Sequence, residues 1–323
     1  MAPSIAETPS PPTTAFPAKA SATHPLAPLS GAEITNTANL VRKQWPENVD
    51  LQYRVITLRE PPKAEILPYI QAENAGETLP SSLSRKAFVV YYLRRTSKLY
   101  EAVVDLSEQR VEYNNLLGSN VHANLDADTI IASEKVCLED ESVKAELKKL
   151  ELPKGAVVVC DPWIYGSDGI EDDELLIQCF LYMRDPQNPE EADSNHYALP
   201  LPISPLVHVE SGKVIRIDRL PTGADNTLKE TGPWPVRLPN EYIPEAQKLR
   251  EDLKPLQVIQ PEGASFKVSE QGTSRVLEWQ KWSFRVGFNQ REGMVLYNVR
   301  YDGRPLFFRL SLSGKLDIFW LPC

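Results

Sequence analysis

Alternating hydrophobic and polar residues mark several strands in the first part of the chain. Residues 51–58 (LQYRVITL) alternate with a period of two, and residues 86–93 and 99–106 are two further runs of strand length. Ahead of them, Ser30 can cap a helix in which apolar residues recur at helical spacing. One helix followed by several antiparallel strands predicts a small α+β domain over residues 23–108.

The same order of elements recurs over residues 109–220. A helical stretch lies within residues 126–150, where Asp140 and Ser142 are candidate caps. Strand-like runs follow, with residues 161–173 as a loop; the runs are 156–160, 174–184, 197–202, 206–209 and 214–217. The sequence therefore predicts a second α+β domain with the layout of the first.

Strong alternation returns in the last part of the chain. Residues 279–288 and 294–301 alternate, and residues 306–312 are a further apolar run. Asp302-Gly303 separates the last two runs and is typical of a two-residue hairpin turn. We therefore predict the first strands of a β-sandwich domain over residues 261–313.

The segments around these domains lack such patterns. Residues 1–22 are rich in Pro, Ser, Thr and Ala, and show no basic region followed by an apolar stretch, so they predict a disordered tail rather than a secretory signal. Residues 221–260 are Pro-rich and predict a connector, and residues 314–323 predict a tail unrelated to the domain before it. No apolar run approaches the roughly 20 residues that span a bilayer, so no membrane association is expected.

Charge narrows the class of partner. The chain has a formal net charge of −9 and no stripe of Lys and Arg interleaved with aromatic residues. Phosphate backbones are bound by clustered cations. A nucleic-acid partner is therefore not expected.

The four cysteines do not follow a metal-binding spacing. Cys137, Cys160, Cys179 and Cys323 form no C-x-x-C pair or zinc pattern. Cys160 and Cys179 stand in apolar runs, so both are predicted to be buried strand residues, the common fate of a free cysteine. Free cysteines of this kind favour a reducing compartment.

The last sixty residues carry a specific family resemblance. Residues 279–289 (WQKWSFRVGFN), 291–296 (REGMVL), 302–304 (DGR) and 308–313 (FRLSLS) resemble the opening strands of the catalytic domain of copper-containing amine oxidases. Weaker similarities occur earlier and in the family's order, at residues 24–30 (HPLAPLS), 60–63 (EPPK), 104–106 (VDL) and 161–163 (DPW).

The resemblance implies a fold and an activity. In this family, two small cystatin-like α+β domains, each a helix on an antiparallel sheet, precede a large catalytic β-sandwich. Its members are homodimers that convert a primary amine, oxygen and water to an aldehyde, ammonia and hydrogen peroxide. Copper and topaquinone, a quinone made from a tyrosine, are the family's cofactors.

The family's catalytic motifs do not transfer to this sequence. The cofactor tyrosine of the family lies in Asn-Tyr-Asp/Glu, and the 323 residues contain no Asn-Tyr pair. Copper is held in the family by His-x-His and a distant third histidine, whereas His24, His122, His196 and His208 include no pair at that spacing. No catalytic, cofactor-binding or metal-binding residue is therefore assigned, and the chain is expected to be inactive by itself.

One site residue carries over from the resemblance. The tryptophan of the family's Asp-Pro-Trp lines the mouth of the amine channel, and Trp163 is the matching residue here. An indole face suits an entering ammonium group. The alternative is that Trp163 anchors the core of its own domain.

Beyond Ser313 the sequence departs from the family pattern, and Gly314-Lys315 is what a translated splice donor encodes. Our hypothesis is that an intron was read through at this point, so that the β-sandwich is incomplete. Two other roles stay open: a non-catalytic dimerisation or interaction module from the same family, and a stand-alone pair of cystatin-like binding domains. A cytoplasmic or peroxisomal location is expected.

Overall fold

The structure, a computed structural model, describes residues 23–80, 83–166, 173–184, 195–221, 231–234, 248 and 250–312. The helices are α1 (Gly31–Arg42), α2 (Lys63–Ala75), α3 (Ala127–Glu139) and α4 (Glu141–Lys149), with a 3-10 turn at His196–Ala198. The strands are β1 (Leu51–Arg59), β2 (Lys86–Leu93), β3 (Leu99–Asp105), β4 (Arg110–Leu116), β5 (Val158–Ile164), β6 (Leu176–Met183), β7 (Ile203–His208), β8 (Lys213–Arg219), β9 (Phe266–Gln271), β10 (Ser274–Trp279), β11 (Trp282–Asn289), β12 (Gly293–Tyr301) and β13 (Arg304–Ser311).

These elements divide into two compact units, each discontinuous in sequence. The two-sheet unit comprises residues 31–59 and 85–263, and the one-sheet unit comprises residues up to 30, 60–84 and from 264 onward. The predicted boundaries between consecutive sequence domains stay a prediction. The predicted tail 1–22, most of the connector and residues 314–323 lie outside the described residues.

The first sheet of the two-sheet unit has the order β1-β2-β3-β4, and all neighbours are antiparallel. Helix α1 packs against β1, β3 and β4, and burial alternates along most of β2. Tyr91 is fully buried there; its hydroxyl accepts a hydrogen bond from Trp45 Nε1 at 2.9 Å and donates one to Asn114 Oδ1 at 2.7 Å. The buried hydroxyl therefore has both a donor and an acceptor partner, as buried polar groups in stable cores generally do.

The second sheet of this unit has the antiparallel order β5-β6-β7-β8. Helix α3 packs against all four strands and covers one face of the sheet. The core on that face is apolar; it includes Cys137, Val143, Leu150, Cys160, Ile177, Cys179, Leu181 and Ile203. Asp140 ends α3 and caps α4, because its Oδ1 accepts from the backbone N–H of Ser142 at 2.9 Å and of Val143 at 3.2 Å.

The one-sheet unit contains the antiparallel sheet β13-β12-β11-β10-β9. Helix α2 contributes Ile66, Tyr69 and Ile70 to a cluster that also contains Val295 and Tyr297 of β12. Leu26 from the segment ahead of α1 completes this cluster. Residues that are distant in sequence therefore form one core.

The α+β class predicted from the sequence is confirmed: a helix lies on an antiparallel sheet twice, and a third antiparallel sheet follows. The hairpin predicted at Asp302-Gly303 is also confirmed. The φ angles of these two residues are 51° and 76°, which is the conformation that a primed two-residue turn needs.

Some predicted elements have different bounds. The predicted loop 161–173 begins as strand, because β5 continues to Ile164 with Pro162 accommodated on the edge of the sheet. The predicted strand 197–202 starts instead as the 3-10 turn, since Pro200 and Pro202 cannot donate to a ladder. The predicted single run 279–288 is divided by a turn at Gln280 and Lys281.

Among the described residues, no helix combines the length and apolar character that crossing a membrane requires.

Candidate functional site

Trp163, the one site residue assigned from the sequence, lies on β5 at the edge of the second sheet. It pairs with Gln178 of β6, and 59% of its surface is exposed. The neighbouring Ile164 is also exposed. The alternative reading, in which Trp163 anchors the core of its domain, is therefore wrong.

Strand alternation places Trp163 on the sheet face opposite α3. Cys160 and Pro162 alternate with Asp161 and Trp163 along β5, and Cys160 belongs to the core beneath α3. Asp161 therefore shares the face of Trp163. On β6, Tyr182 pairs with Val159 and lies on that same face.

Three aromatic rings and a carboxylate gather on this face. Tyr182, His196 and Tyr197 contact one another, with ring centroids 4.3–5.4 Å apart. His196 Nε2 lies 3.7 Å from Asp161 Oδ1. We call Asp161, Trp163, Tyr182, His196 and Tyr197 the aromatic-acidic face.

The carboxylate of Asp161 shapes the electrostatics of this face. Its hydrogen bond to Tyr197, followed by partial burial, raises the pKa of that phenol. Burial and then the charge of Asp161 raise the pKa of Tyr182. Both phenols therefore stay protonated at neutral pH, beside the carboxylate of Asp161. Such a surface attracts an organic cation.

Sequence reasoning found Trp163 through the resemblance but missed the other members of the aromatic-acidic face. Residues 161–173 were predicted to be a loop, which gives no basis for assigning side chains to a face. Residues 158–164 (VVCDPWI) contain a single charged residue and do not alternate, so the sequence offered no period-two signal there.

The histidines are dispersed. His24 Nε2 lies 3.5 Å from Glu73 in the one-sheet unit, and His196 lies near Asp161 in the two-sheet unit. His208 Nδ1 lies 2.8 Å from Ser211 Oγ. Within the described ranges, the ligand group compact enough to hold a metal ion contains cysteines and no histidine.

That group consists of Cys137, Cys160 and Cys179, whose sulfur atoms all lie within 4.8 Å of one another. All three are free thiols and buried, which confirms the prediction made for Cys160 and Cys179. Their separation in sequence, on a helix and two strands, hid this cluster from spacing rules.

A charged network in the one-sheet unit has a structural role. Arg309 Nε donates to Glu60 Oε2 at 2.9 Å, and its Nη2 atom pairs with Glu292 Oε2. The hydroxyl of Tyr297 donates to Glu60 Oε1 at 2.6 Å. The hydrogen bond from Arg309 holds the pKa of Glu292 well below its usual range. Every charge here is paired, so the network joins the segment ahead of α2 to β12 and β13.

The exposure of Trp163 gives a stability prediction. Trp163→Ala should lower the free energy of unfolding by less than about 1 kcal/mol, because little of the ring is buried. The control Ile177→Ala, at a fully buried residue of the neighbouring strand, should cost about 3 kcal/mol. Urea denaturation followed by circular dichroism measures both. A loss for Trp163→Ala equal to that of the control would contradict the exposed placement.

Comparisons with known proteins bear on the whole described chain. The profile described as "Copper amine oxidase, N2 domain" matches residues 24–116, and "Copper amine oxidase, enzyme domain" matches residues 270–316. Copper amine oxidase 1 of Aspergillus niger is 35% identical over 306 residues, which cover 90% of this chain and 44% of that protein. Primary amine oxidase of Arthrobacter is 33% identical over 302 residues, 90% of this chain and 41% of that protein.

A solved structure agrees with these matches. The copper-containing benzylamine oxidase from Hansenula polymorpha superposes with a TM-score of 0.79 at 36% identity, covering 89% of this chain and 44% of that one. The chain thus spans less than half the length of these relatives. Through both matched domains, the chain is similar to copper amine oxidases over the part of their length that it spans.

Proposed function

We propose that these 323 residues are the non-catalytic N-terminal portion of a copper amine oxidase. In the full-length form, the family's reaction would convert a primary amine, oxygen and water to an aldehyde, ammonia and hydrogen peroxide. The observation that carries this proposal is the pairing of two family matches with a sequence that has neither Asn-Tyr nor His-x-His. The 323-residue polypeptide is accordingly proposed to be inactive by itself.

The residues described here do not fit the family's copper and topaquinone. Three imidazoles would have to converge on one ion, and the histidines of the described ranges lie beside separate partners. Of the described tyrosines, Tyr91 and Tyr297 are engaged in core hydrogen bonds. No catalytic step is therefore assigned to this polypeptide.

The aromatic-acidic face supports a role in substrate entry. We propose that Trp163 lines the mouth of the amine channel in the full-length enzyme. A primary amine is an ammonium ion at neutral pH, so the indole face and the carboxylate of Asp161 both attract it. This face suits capture of the substrate and offers no group for the oxidation itself.

An activity assay tests the central proposal. The purified 323-residue polypeptide, loaded with Cu(II) in air, should release no hydrogen peroxide from benzylamine or methylamine in a peroxidase-coupled assay. It should also give no quinone absorbance or redox-cycling stain. The Hansenula benzylamine oxidase serves as the positive control. Peroxide that depends on the amine, and that rises with the amount of this polypeptide, would refute the proposal.

A second candidate role is that of a non-catalytic dimerisation module. The observation that favours it is the exposed one-sheet unit. All residues of β9 are exposed, and further large apolar side chains are exposed at Phe288, Met294 and Phe307. An open sheet edge with apolar neighbours favours pairing. Co-purification of the untagged full-length relative with the tagged polypeptide would support this role, and a monomer at all concentrations in light scattering would refute it.

A peroxisomal location belongs to the proposal as well. A relative from Pichia angusta is named as a peroxisomal primary amine oxidase and is 33% identical over 300 residues. Cytoplasm is the other compartment consistent with free cysteines. Fluorescent tagging of the native gene product, with a peroxisomal marker as reference, distinguishes the two.

A further inference from the structure

Three thiols meet in the core of the second sheet, away from the aromatic-acidic face. Cys137 comes from α3, Cys160 from β5 and Cys179 from β6. Their sulfur atoms lie within 4.8 Å of one another, and the three residues are 0%, 6% and 0% exposed. A free cysteine alone behaves as a small apolar residue. Three sulfurs that converge from three elements can do more, because each offers a ligand atom to the same ion.

The fold positions these sulfurs through rigid elements. Cys160 pairs with Leu181 across the β5–β6 ladder, and Pro162 pairs with Cys179, so the two cysteines are diagonal neighbours on the face beneath α3. Cys137 follows Ser133 by four residues on the buried side of α3. A helix and two paired strands therefore fix the triangle, and rigid elements hold ligands more accurately than loops do.

The ligand set points to a soft ion. Thiolate ligands select Cu(I), zinc and iron–sulfur clusters over hard cations. Structural zinc is held by four ligands, whereas the compact group in the described part of the chain provides three sulfurs. With metal–sulfur bonds of about 2.3 Å, three sulfurs around one ion lie about 4 Å apart, within the observed spread.

The apolar surroundings of the three thiols favour a bound site with little net charge. Val143, Ile177 and Leu181 belong to the same buried cluster as the thiols. A divalent ion would need a further ligand to complete its tetrahedron. A monovalent ion bound by one thiolate and two thiols leaves no net charge, so its binding adds no buried charge to the apolar core.

We propose that Cys137, Cys160 and Cys179 form a three-sulfur binding site for one Cu(I) ion. Binding involves no redox step. Each sulfur that binds as a thiolate releases its proton to solvent, so one proton leaves when one thiolate and two thiols bind the ion, and affinity rises with pH. Cys160 is the most exposed of the three and lies on the edge strand β5, which makes the sheet edge the route of entry.

Competition with a chromogenic Cu(I) chelator tests this site. The purified 323-residue polypeptide, kept anaerobic and reduced, is titrated against the Cu(I)–bicinchoninate complex. We expect it to remove one equivalent of Cu(I), with an affinity that rises between pH 6 and pH 8. Cys160→Ala should weaken binding at least tenfold, because one of three ligands is lost. The control Cys323→Ala, at a residue beyond the described part of the chain, should bind as the unaltered chain does.

A second measurement on the unaltered chain avoids the question of whether a variant folds. One equivalent of Cu(I) should slow alkylation of Cys137, Cys160 and Cys179 by N-ethylmaleimide, while Cys323 is labelled at the same rate with and without the ion. Mass spectrometry of the peptides gives each rate. Copper X-ray absorption should show sulfur as the nearest scatterer.

Two outcomes would overturn the proposal. One is Cu(I) uptake that is unchanged in Cys160→Ala and gives no protection of the three thiols, which would leave them as apolar core residues. The other is one equivalent of Zn²⁺ held more tightly than Cu(I) at the same thiols, which would exclude a site for a monovalent ion. The site does not depend on the proposed amine-oxidase role, since no amine or quinone enters either measurement.

Discussion

Replacing Glu73 by glutamine should lower the free energy of unfolding of the one-sheet unit by about 3 kcal/mol. Glu73 lies on α2, and its Oε1 accepts a hydrogen bond from Arg285 Nη2 at 2.7 Å. The Arg285 side chain, on β11, is only 4% exposed. Glutamine keeps the shape of the side chain and removes its charge, so a buried guanidinium loses its counter-charge.

The surroundings of Arg285 explain the size of this effect. Its remaining acceptors are neutral, namely Ser274 Oγ at 2.7 Å and Gln271 Oε1 at 3.1 Å. Burial already lowers the pKa of Arg285, and the charge of Glu73 acts in the opposite direction. Without that charge, the cost of burying the guanidinium is no longer offset.

The experiment should report on the one-sheet unit itself. Hydrogen exchange of the β11 and β12 amides measures the free energy of local opening in this sheet. A global unfolding transition would instead average the stabilities of the two units. Glu77→Gln is the control, because Glu77 follows the same helix and is exposed. Equal protection of β11 and β12 in both variants would show that the Glu73–Arg285 ion pair does not stabilise the sheet of the one-sheet unit.

Some elements could be predicted because their determinants are local. Asp302-Gly303 specifies a turn in which both residues have positive φ, and no distant contact is needed for that. Asp140 likewise caps α4 through N–H groups two and three residues away. Alternation gave β1, β2 and β3 nearly to the residue, because the period-two pattern lies within each strand.

Other elements depend on partners that are distant in sequence. Helix α2 was missed because Pro61 and Pro62 directly precede it and Pro68 lies inside it. Its apolar side chains become a consistent face only against β12. Strand β9 is exposed throughout, so its pairing with β10, rather than its own pattern, defines it.

The site residues also divide into those that a local motif predicts and those that depend on partners distant in sequence. Trp163 was assigned from a family motif, whereas the ring cluster on the same sheet face comes from β6 and from the 3-10 turn. Cys137 and Cys160 are 23 positions apart in sequence, and Cys160 and Cys179 are 19 apart. Only the ladder register and the phase of α3 bring the three sulfurs together.

Replacing Asp126 by alanine should destabilise the two-sheet unit by about 4 kcal/mol, for two separable reasons. Asp126 caps α3, because its Oδ1 accepts from the Thr129 N–H at 2.8 Å. Its Oδ2 pairs with Arg54, whose side chain is 4% exposed and lies over the Tyr92 ring. Alanine removes the cap and leaves the buried guanidinium without a counter-charge.

Asparagine separates the two contributions. Asn is as good an N-cap as Asp, so Asp126→Asn keeps the cap and loses only the charge. We expect this variant to lose about 2 kcal/mol, less than the alanine variant. Denaturant unfolding of the two variants and of the unaltered chain at pH 7 gives the values. Equal losses for Asn and Ala would show that the charge, and not the cap, accounts for the whole effect.

The charge contribution should also disappear in acid. Burial raises the pKa of Asp126, but hydrogen bonds from Thr129 and Arg54 outweigh it and lower the value to about 2. A carboxyl whose folded-state pKa lies below its unfolded value of about 3.9 stabilises the fold at higher pH, and this stability is lost as pH falls through the folded value. The gap between the unaltered chain and Asp126→Asn should therefore be constant above pH 5 and close by pH 2. Other carboxylates titrate equally in both proteins, so only the difference in unfolding free energy between the two proteins is diagnostic. If that difference persists at pH 2, the Arg54 pair contributes no charge-dependent stability.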